Sequence, residues 1–150
     1  MLTLLRKIHE ENKGGKTQSK KKRDGRRFTS DKLGMTFRSS WEVELAELMT
    51  ELGIDFKYEP FRYYYRAEQC SYLPDFYLPQ YNVYIEVKGY MDKLSAKRCR
   101  LFRKYQLGDF GFFLYMKEER QLILDEPNLL FTYLEIASQE HLRVKAMEDY

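Results

Sequence analysis

The feature that most constrains the fold is a pair of short apolar runs, residues 73–78 and 83–87, separated by a turn that contains Pro79 and Asn82. Runs of this length bounded by turn residues are typical of β-strands, and the short separation favours a hairpin. Side chains alternate between the two faces of a strand. The second run should therefore carry Glu86 and Lys88 on one face, beside Asp75 of its partner strand.

Apolar periodicity predicts helices and strands on both sides of this hairpin. Helical spacing over residues 38–52, ended by Gly53, predicts a first helix, and Asp92 can cap a second helix through about Tyr105. The other predicted elements are strands at 54–58, 61–65, 110–115 and 121–124, a polar connection at 67–72, and a last helix at 129–137. These elements predict an α/β fold with a mixed central sheet flanked by helices, in the order αβββαβ plus a C-terminal helix.

Length and hydropathy limit the class of protein. A chain of 150 residues with 43% apolar residues can bury one hydrophobic core. It contains no apolar stretch of the roughly 18 residues that a membrane span needs, and its start lacks the pattern of a secretory signal. We therefore expect no membrane association and a cytoplasmic location, which is the host cytoplasm if a phage encodes the protein.

Cysteine and histidine are too sparse to carry the chemistry. Cys70 and Cys99 have neither a second pair nor nearby histidines, so ordinary thiols are expected rather than a disulfide or a zinc site. With His9 and His141 alone, Ser/His or Cys/His nucleophile arrangements are poorly supported. Any catalysis must then depend on carboxylates and lysine.

Positive charge is concentrated at the start of the chain. Residues 1–27 carry a net charge of +7 and residues 28–150 a net charge of −4, which sum to the total of +3. Residues 13–27 contain no apolar side chain that burial could stabilise, so a flexible basic arm is predicted at 1–27, ahead of a domain at 28–150. The arm is interpreted as a DNA-phosphate contact through Lys20, Lys21, Lys22 and Arg23, with a solubilising tail as the alternative.

The three charged residues of the hairpin suit phosphodiester hydrolysis. Cleaving a phosphodiester requires neutralisation of developing negative charge and a source of hydroxide near neutral pH, and Mg²⁺ supplies both. Because Mg²⁺ prefers oxygen ligands and keeps several waters, Asp75 and Glu86 together with phosphate oxygens are a sufficient ligand set. Lys88 is then placed to orient the attacking water or to stabilise the transition state.

Pro74-Asp75, followed after ten residues by Glu86-Val87-Lys88, resembles the motif of the PD-(D/E)XK nuclease superfamily. The core of that superfamily, a helix, a three-stranded meander with the motif, a helix and a further strand, has the predicted order. The resemblance implies a restriction-endonuclease-like core and an endonuclease that uses Mg²⁺, with Mn²⁺ as a substitute. It also implies that Asp75, Glu86 and the Val87 carbonyl bind the metal.

Upstream, Phe37-Arg38-Ser39-Ser40-Trp41-Glu42 is similar to the FRSxxE segment of the phage endonuclease I type, which resolves branched DNA, and transposon-end nucleases carry related segments. The similarity covers residues 37–89. It implies that Glu42 joins the metal site, that the protein acts as a homodimer, and that it works with phage or transposition machinery. The competing interpretations are a transposon-end or restriction-like nuclease, or a non-catalytic DNA-binding or assembly subunit that keeps the nuclease fold.

Each site residue also has a structural interpretation. Glu42 completes a pattern typical of a capping box, in which it would bind the backbone at the helix start, and Glu44 is a substitute for it at the metal. Glu86 and Lys88 are also consistent with a surface ion pair, and Asp75 with a turn residue. Their joint occurrence at this spacing favours the catalytic interpretation.

Candidate DNA contacts lie on the second predicted helix and at the start of the first. Basic residues recur there on one stripe, flanked by Arg98 and Arg103, and the stripe consists of Lys93, Lys97, Arg100 and Lys104. We expect Leu94, Leu101, Phe102 and Tyr105 on the opposing side. Arg38 is predicted to bind phosphate at the mouth of the site, whereas Tyr63, Tyr64 and Tyr65 are interpreted as a strand with alternate members in the core rather than as a base-stacking surface.

Overall fold

A mixed four-stranded sheet lies at the centre of the computed structural model, which describes residues 27–149. Along the chain the elements are β1 (Phe28–Ser30), β2 (Met35–Phe37), α1 (Ser40–Glu51), β3 (Lys57–Tyr58), β4 (Tyr63–Tyr65), a 3₁₀ turn (Arg66–Glu68), β5 (Cys70–Tyr72), β6 (Phe76–Leu78), β7 (Val83–Val87), α2 (Lys93–Gln106), β8 (Gly111–Tyr115), α3 (Lys117–Asp125) and α4 (Leu129–Glu148). The predicted α/β class with a mixed sheet is confirmed.

The central sheet has the strand order β3-β6-β7-β8. The predicted hairpin is present, because β6 and β7 pair antiparallel with Phe76 opposite Ile85 and Leu78 opposite Val83. Strand β8 pairs parallel with β7, and α2 makes the connection between them. Parallel neighbouring strands need such a crossover connection, because a tight turn reverses the chain direction and can join only antiparallel strands.

Alternation along β7 separates two cores. Val83 and Ile85 lie in one cluster with the buried side chains of α1 and α4, while Tyr84 lies in the other with Phe102 of α2. The close packing of α4 on the sheet requires a glycine, because a Cβ at Gly111 would lie 2.8 Å from a backbone oxygen of α4. Helices on both faces thus hold β7, and the charged end of this strand, rigidly in place.

Four local predictions were wrong or incomplete. Residues 121–124 were predicted as a strand but lie in α3, where Arg120, Ile123 and Leu124 are buried at helical spacing. Residues 67–72 were predicted as a connection, yet Cys70–Tyr72 pairs with β4 in a separate two-stranded sheet. The hairpin of β1 and β2 before Arg38 was not anticipated, and the last helix extends to Glu148 rather than 137.

The other boundaries differ from prediction by a few residues. Strand β3 keeps only two residues of the predicted 54–58, and α2 begins after Asp92, whose side chain accepts a 2.7 Å hydrogen bond from the Ser95 amide as expected of an N-cap. Cys70 and Cys99 are free thiols, as predicted. Within residues 27–149, no helix is long and apolar enough to cross a membrane. The predicted basic arm, with Lys20, Lys21, Lys22 and Arg23, lies outside the described residues.

Candidate active site

Asp75 and Glu86 meet at the open end of the β6–β7 hairpin, away from its turn. The register that pairs Phe76 with Ile85 brings these two residues opposite each other at the next position. The Val87 amide donates a 2.7 Å hydrogen bond to Asp75 Oδ2, which fixes the orientation of that carboxylate. The predicted convergence of Asp75 and Glu86 is therefore present in the structure.

Glu86 is buried and Asp75 is half-buried, and neither carboxylate forms a salt bridge with residues 27–149. Glu86 is only 6% exposed, and its Oε1 accepts no hydrogen bond from residues 27–149. Burial raises the pKa of Asp75 well above its usual range, and the charges of Glu86 and Glu42 raise it further, against the Val87 hydrogen bond that lowers it. Burial also raises the pKa of Glu86. An orphaned carboxylate oxygen beside a second carboxylate fits a divalent cation that prefers oxygen ligands.

Glu42 joins this group from α1. Its backbone amide donates to the Ser39 side chain at 3.2 Å, so Ser39 caps the helix. The Glu42 carboxylate does not return a bond to the Ser39 amide in the described part of the chain, and its Oε1 instead accepts a 3.0 Å hydrogen bond from the Tyr58 hydroxyl. The capping box is thus only half formed, and the buried carboxylate faces Asp75. Its predicted role at a metal stays a prediction.

Glu44 does not belong to this cluster. Its carboxylate accepts hydrogen bonds from the Arg120 guanidinium at 2.8 and 3.0 Å, and both residues are buried. The Arg120 guanidinium also stacks over the Trp41 ring, 4.6 Å from its centroid. Glu44 therefore has a structural partner, which argues against its use as a substitute for Glu42.

Glu59 is a site residue that the sequence interpretation missed. One carboxylate oxygen each of Glu42, Glu59 and Asp75 lie within 4.8 Å of one another. The Glu59 amide donates to the Asp75 carbonyl at 2.8 Å, and its carboxylate accepts bonds of 2.7 and 3.3 Å from the Arg38 guanidinium. Glu59 directly follows the predicted strand at 54–58 and had no predicted role. The Tyr-Glu-Pro ending of the strand was the available signal, because a proline marks where the chain turns away.

Three of these carboxylates line a cleft of about 250 Å³, and Glu42 is not among its lining residues. Four basic residues line it as well, and the charged lining residues are Glu59, Asp75, Glu86, Arg38, Arg62, Lys88 and Arg98. Lys88 extends from the end of β7, where its amide donates a 3.0 Å hydrogen bond to the Tyr115 carbonyl of β8. Val87, whose carbonyl was predicted to bind metal, lies between Glu86 and Lys88. Both Lys88 and Arg38 are thus found at the predicted site.

The basic stripe of α2 only partly faces this cleft. Lys93, Arg100 and Lys104 are exposed, whereas Lys97 is half-buried and donates a 2.9 Å hydrogen bond to the Glu68 carbonyl. The α2 residues that line the cleft are Ser95 and Arg98. The role of the stripe in DNA binding stays a prediction, and Arg98 is a more direct candidate for contact near the carboxylates.

The opposing side of α2 and the tyrosine strand differ in how well they were predicted. Leu101 and Phe102 are buried as expected, but Leu94 and Tyr105 are 50% and 45% exposed, because the helix packs through a narrower stripe than predicted. In β4 the alternation is as interpreted, with Tyr65 buried and Tyr64 exposed.

Comparison with known proteins does not add to this geometry. No family model, no curated protein and no solved structure matches the chain.

Proposed function

We propose that the protein is a metal-dependent DNA endonuclease of the PD-(D/E)XK type, with a restriction-endonuclease-like core. The observation that carries the proposal is the cleft lined by Asp75, Lys88 and Glu86, whose Oε1 accepts no hydrogen bond from residues 27–149. The sheet elements follow α1 in the order β3, β6, β7, α2 and β8, which supports the superfamily resemblance. Burying a carboxylate oxygen without a hydrogen-bond partner costs free energy. A chance grouping of surface charges would not be expected to contain such an oxygen.

The carboxylates of Asp75, Glu86 and Glu42, with the Val87 carbonyl, would hold Mg²⁺ or Mn²⁺. When bound, the metal neutralises phosphate charge and lowers the pKa of a coordinated water. The Val87 amide keeps Asp75 oriented, and the Tyr58 hydroxyl does the same for Glu42. Held this way, the acidic side chains need no rearrangement during the reaction.

The cations of the cleft would bind and orient the substrate. Lys88 positions the attacking water and stabilises negative charge on the phosphate, since an ammonium donates hydrogen bonds without accepting them. Arg38, Arg62 and Arg98 reach the cleft from three different segments, and guanidinium groups match phosphate geometry. These contacts do not depend on base identity, so the substrate is selected by its backbone shape.

Cleavage assays test the proposal directly. Wild type, Asp75→Asn, Lys88→Ala and the control Lys117→Ala, which changes an exposed lysine at the start of α3, are incubated with supercoiled plasmid, linear duplex and a four-way junction. We expect Mg²⁺-dependent cutting by wild type and control, and a rate lower by roughly 10²- to 10⁴-fold in the two site variants. Selective cutting of the junction would identify branched DNA as the substrate.

A wild type that cuts none of these DNAs with Mg²⁺ or Mn²⁺ overturns the enzymatic proposal. DNA binding without cutting would then favour the non-catalytic subunit. Deleting residues 1–27 should weaken DNA binding and flatten its salt dependence, because fewer counterions are released on binding.

A further inference from the structure

The cleft contains a carboxylate that the proposed reaction does not yet use. We propose that Glu59 is a further ligand of the divalent cation, that Arg38 holds it in the DNA-free protein, and that a backbone phosphate binding to Arg38 releases it. The inference rests on the proposed function, because it concerns the same cation and the same substrate. It assigns to the Arg38–Glu59 pair a role in coupling substrate binding to metal binding.

The first support is distance. Carboxylate oxygens of Glu59, Glu42 and Asp75 already lie within 4.8 Å of one another. Oxygens bound to one octahedral Mg²⁺ stand about 3.0 Å apart when adjacent and about 4.2 Å apart when opposite, given Mg–O bonds of about 2.1 Å. The three carboxylates would therefore have to approach one another by roughly 1–2 Å, and Glu59 can move by rotation of its side chain.

The second support is the unpartnered oxygen of Glu86. Glu86 lines the same cleft as Glu59, is more than nine-tenths buried, and leaves Oε1 without a hydrogen bond from the described residues. A buried carboxylate oxygen in this state calls for a cation, a water or a hydroxyl, and the Tyr72 hydroxyl in the same cleft is itself without a hydrogen-bond partner among the described residues. Because it lies among the other carboxylates, a single cation in the cleft can serve several of them.

The third support is the backbone of Glu59. Its φ of 45° lies in the left-handed region, which non-glycine residues adopt rarely. The hydrogen bond from its amide to the Asp75 carbonyl holds it there. This conformation fixes the Glu59 backbone directly beside Asp75, from which its side chain reaches both the carboxylates and Arg38.

Arg38 is suited to exchange one partner for another. Its side chain is 72% exposed while that of Glu59 is 16% exposed, so a phosphate can reach the guanidinium from solvent. The guanidinium meets Glu59 through two of its nitrogens, the same fork that binds phosphate. A solvent-exposed ion pair contributes little stability, so the exchange costs little.

Metal affinity tests the first half of the proposal in a double-mutant cycle. Mn²⁺ binding is measured by electron paramagnetic resonance without DNA for wild type, Glu59→Gln, Arg38→Ala and the double variant. We expect Arg38→Ala to bind Mn²⁺ on the order of three- to tenfold more tightly because it frees Glu59, and the gain to disappear in the Glu59→Gln background. Asp55→Asn, a nearby exposed carboxylate, controls for loss of charge alone.

DNA affinity in EDTA tests the second half with the same variants. Fluorescence anisotropy of a labelled four-way junction and a duplex should show Glu59→Gln binding about threefold or more tightly than Asp55→Asn, because its Arg38 is free for phosphate. In the Arg38→Ala background the Glu59→Gln change should produce only the effect of Asp55→Asn.

The outcomes separate this inference from the proposed function. Equal Mn²⁺ gains from Arg38→Ala in both backgrounds would mean simple charge repulsion and would overturn the inference, while cleavage by wild type left the proposed function intact. Unchanged Mn²⁺ affinity when Glu59→Gln is added to the Arg38→Ala variant would overturn it too, leaving Glu59 as an anchor for Arg38. A wild type that binds no Mn²⁺ and cuts no DNA overturns both.

Discussion

Two glutamates on α1, two positions apart and both almost fully buried, meet opposite environments. Glu44 is 1% exposed and forms a two-bond ion pair with Arg120, which itself stacks on Trp41. Glu42 is 3% exposed and accepts one hydrogen bond from Tyr58, beside the carboxylates of Asp75 and Glu59. The charge of Glu44 is compensated within the fold, whereas the Glu42 carboxylate lies beside two other carboxylates and forms no salt bridge with residues 27–149.

Burial alone therefore does not distinguish a buried charge that supports the fold from one that supports function. A buried charge with a partner is part of the framework, and removing one partner leaves the other uncompensated. A buried carboxylate among other carboxylates destabilises the ligand-free protein. Such an arrangement is typical of a functional site, where a bound cation compensates the negative charge. The Glu44 side of α1 is therefore expected to support the fold, and the Glu42 side to support function.

The largest expected difference is in the free energy of unfolding. Glu44→Gln should lose about 3–5 kcal/mol, because it leaves the buried Arg120 guanidinium without its anion. Burial lowers the pKa of Arg120 only to about 10, so it remains charged at neutral pH. Glu42→Gln, the matched control, should lose no comparable stability in urea unfolding without metal. Equal losses in the two variants would remove the distinction between the two sides of α1.

Metal should act on the Glu42 side alone. At a hundred times its dissociation constant, Mg²⁺ should add about 2.7 kcal/mol to the unfolding free energy of wild type. The gain should persist in a Lys117→Ala control and shrink in Glu42→Gln and Asp75→Asn. Calorimetric scans with Mg²⁺ and with EDTA measure it, and a gain unaffected by either substitution would place the cation elsewhere.

The same carboxylates predict a pH dependence of the metal-free protein. A raised pKa of Asp75 means that folding favours its protonated form, so this contribution is fully present below the ordinary pKa of about 4. It declines as pH rises towards the raised value. In EDTA, Asp75→Asn should therefore gain stability relative to wild type as the pH is increased from 4 to 7, by roughly 3 °C or more in Tm. A constant difference across this range would contradict the prediction.

Loss of the Tyr58 hydroxyl should have a smaller effect. Tyr58→Phe removes the hydrogen bond to Glu42 and the 3.2 Å bond that the hydroxyl accepts from the Arg38 amide, while keeping the ring that packs against Phe37 with centroids 4.7 Å apart. The expected loss is about 1.5 kcal/mol, as for a hydrogen bond to a charged group. Tyr81→Phe serves as the control in the same urea titration. Metal-dependent cleavage should fall in Tyr58→Phe and not in Tyr81→Phe, because Glu42 loses its orienting partner only in the first variant.

The smallest expected effect is on the exposed ion pair. Arg38→Ala should change the unfolding free energy by less than about 1 kcal/mol, because exposed pairs contribute little. Its DNA affinity should nevertheless fall, with a shallower dependence on salt. Thermal unfolding and salt titrations of DNA binding measure the two quantities. A large loss of stability would mean that Arg38, like Arg120, supports the fold.

Local sequence patterns predicted the hairpin and its three charged residues well. Alternation placed Glu86 and Lys88 on the face opposite Ile85, and the short turn brought Asp75 opposite Glu86. The same reasoning failed at 121–124, where a short apolar run was taken as a strand. Burial of Arg120, Ile123 and Leu124 follows helical spacing, and the Glu119 side chain caps the helix by accepting from the Met116 amide. Short apolar runs do not separate strand from helix by themselves.

The sequence by itself determined the β6–β7 hairpin, because turn chemistry and side-chain alternation act over a few residues. The similarity of residues 37–42 favoured Glu42 over Glu44, but the tertiary structure decided which of the two faces the carboxylates, and it alone brought Glu59 to them. Those outcomes depend on partners 16, 21 and 76 residues away in the chain, in the bonds Tyr58–Glu42, Arg38–Glu59 and Arg120–Glu44. The local sequence around a carboxylate does not show which distant cation or hydroxyl will lie beside it in the fold. That neighbour determines the role of the carboxylate.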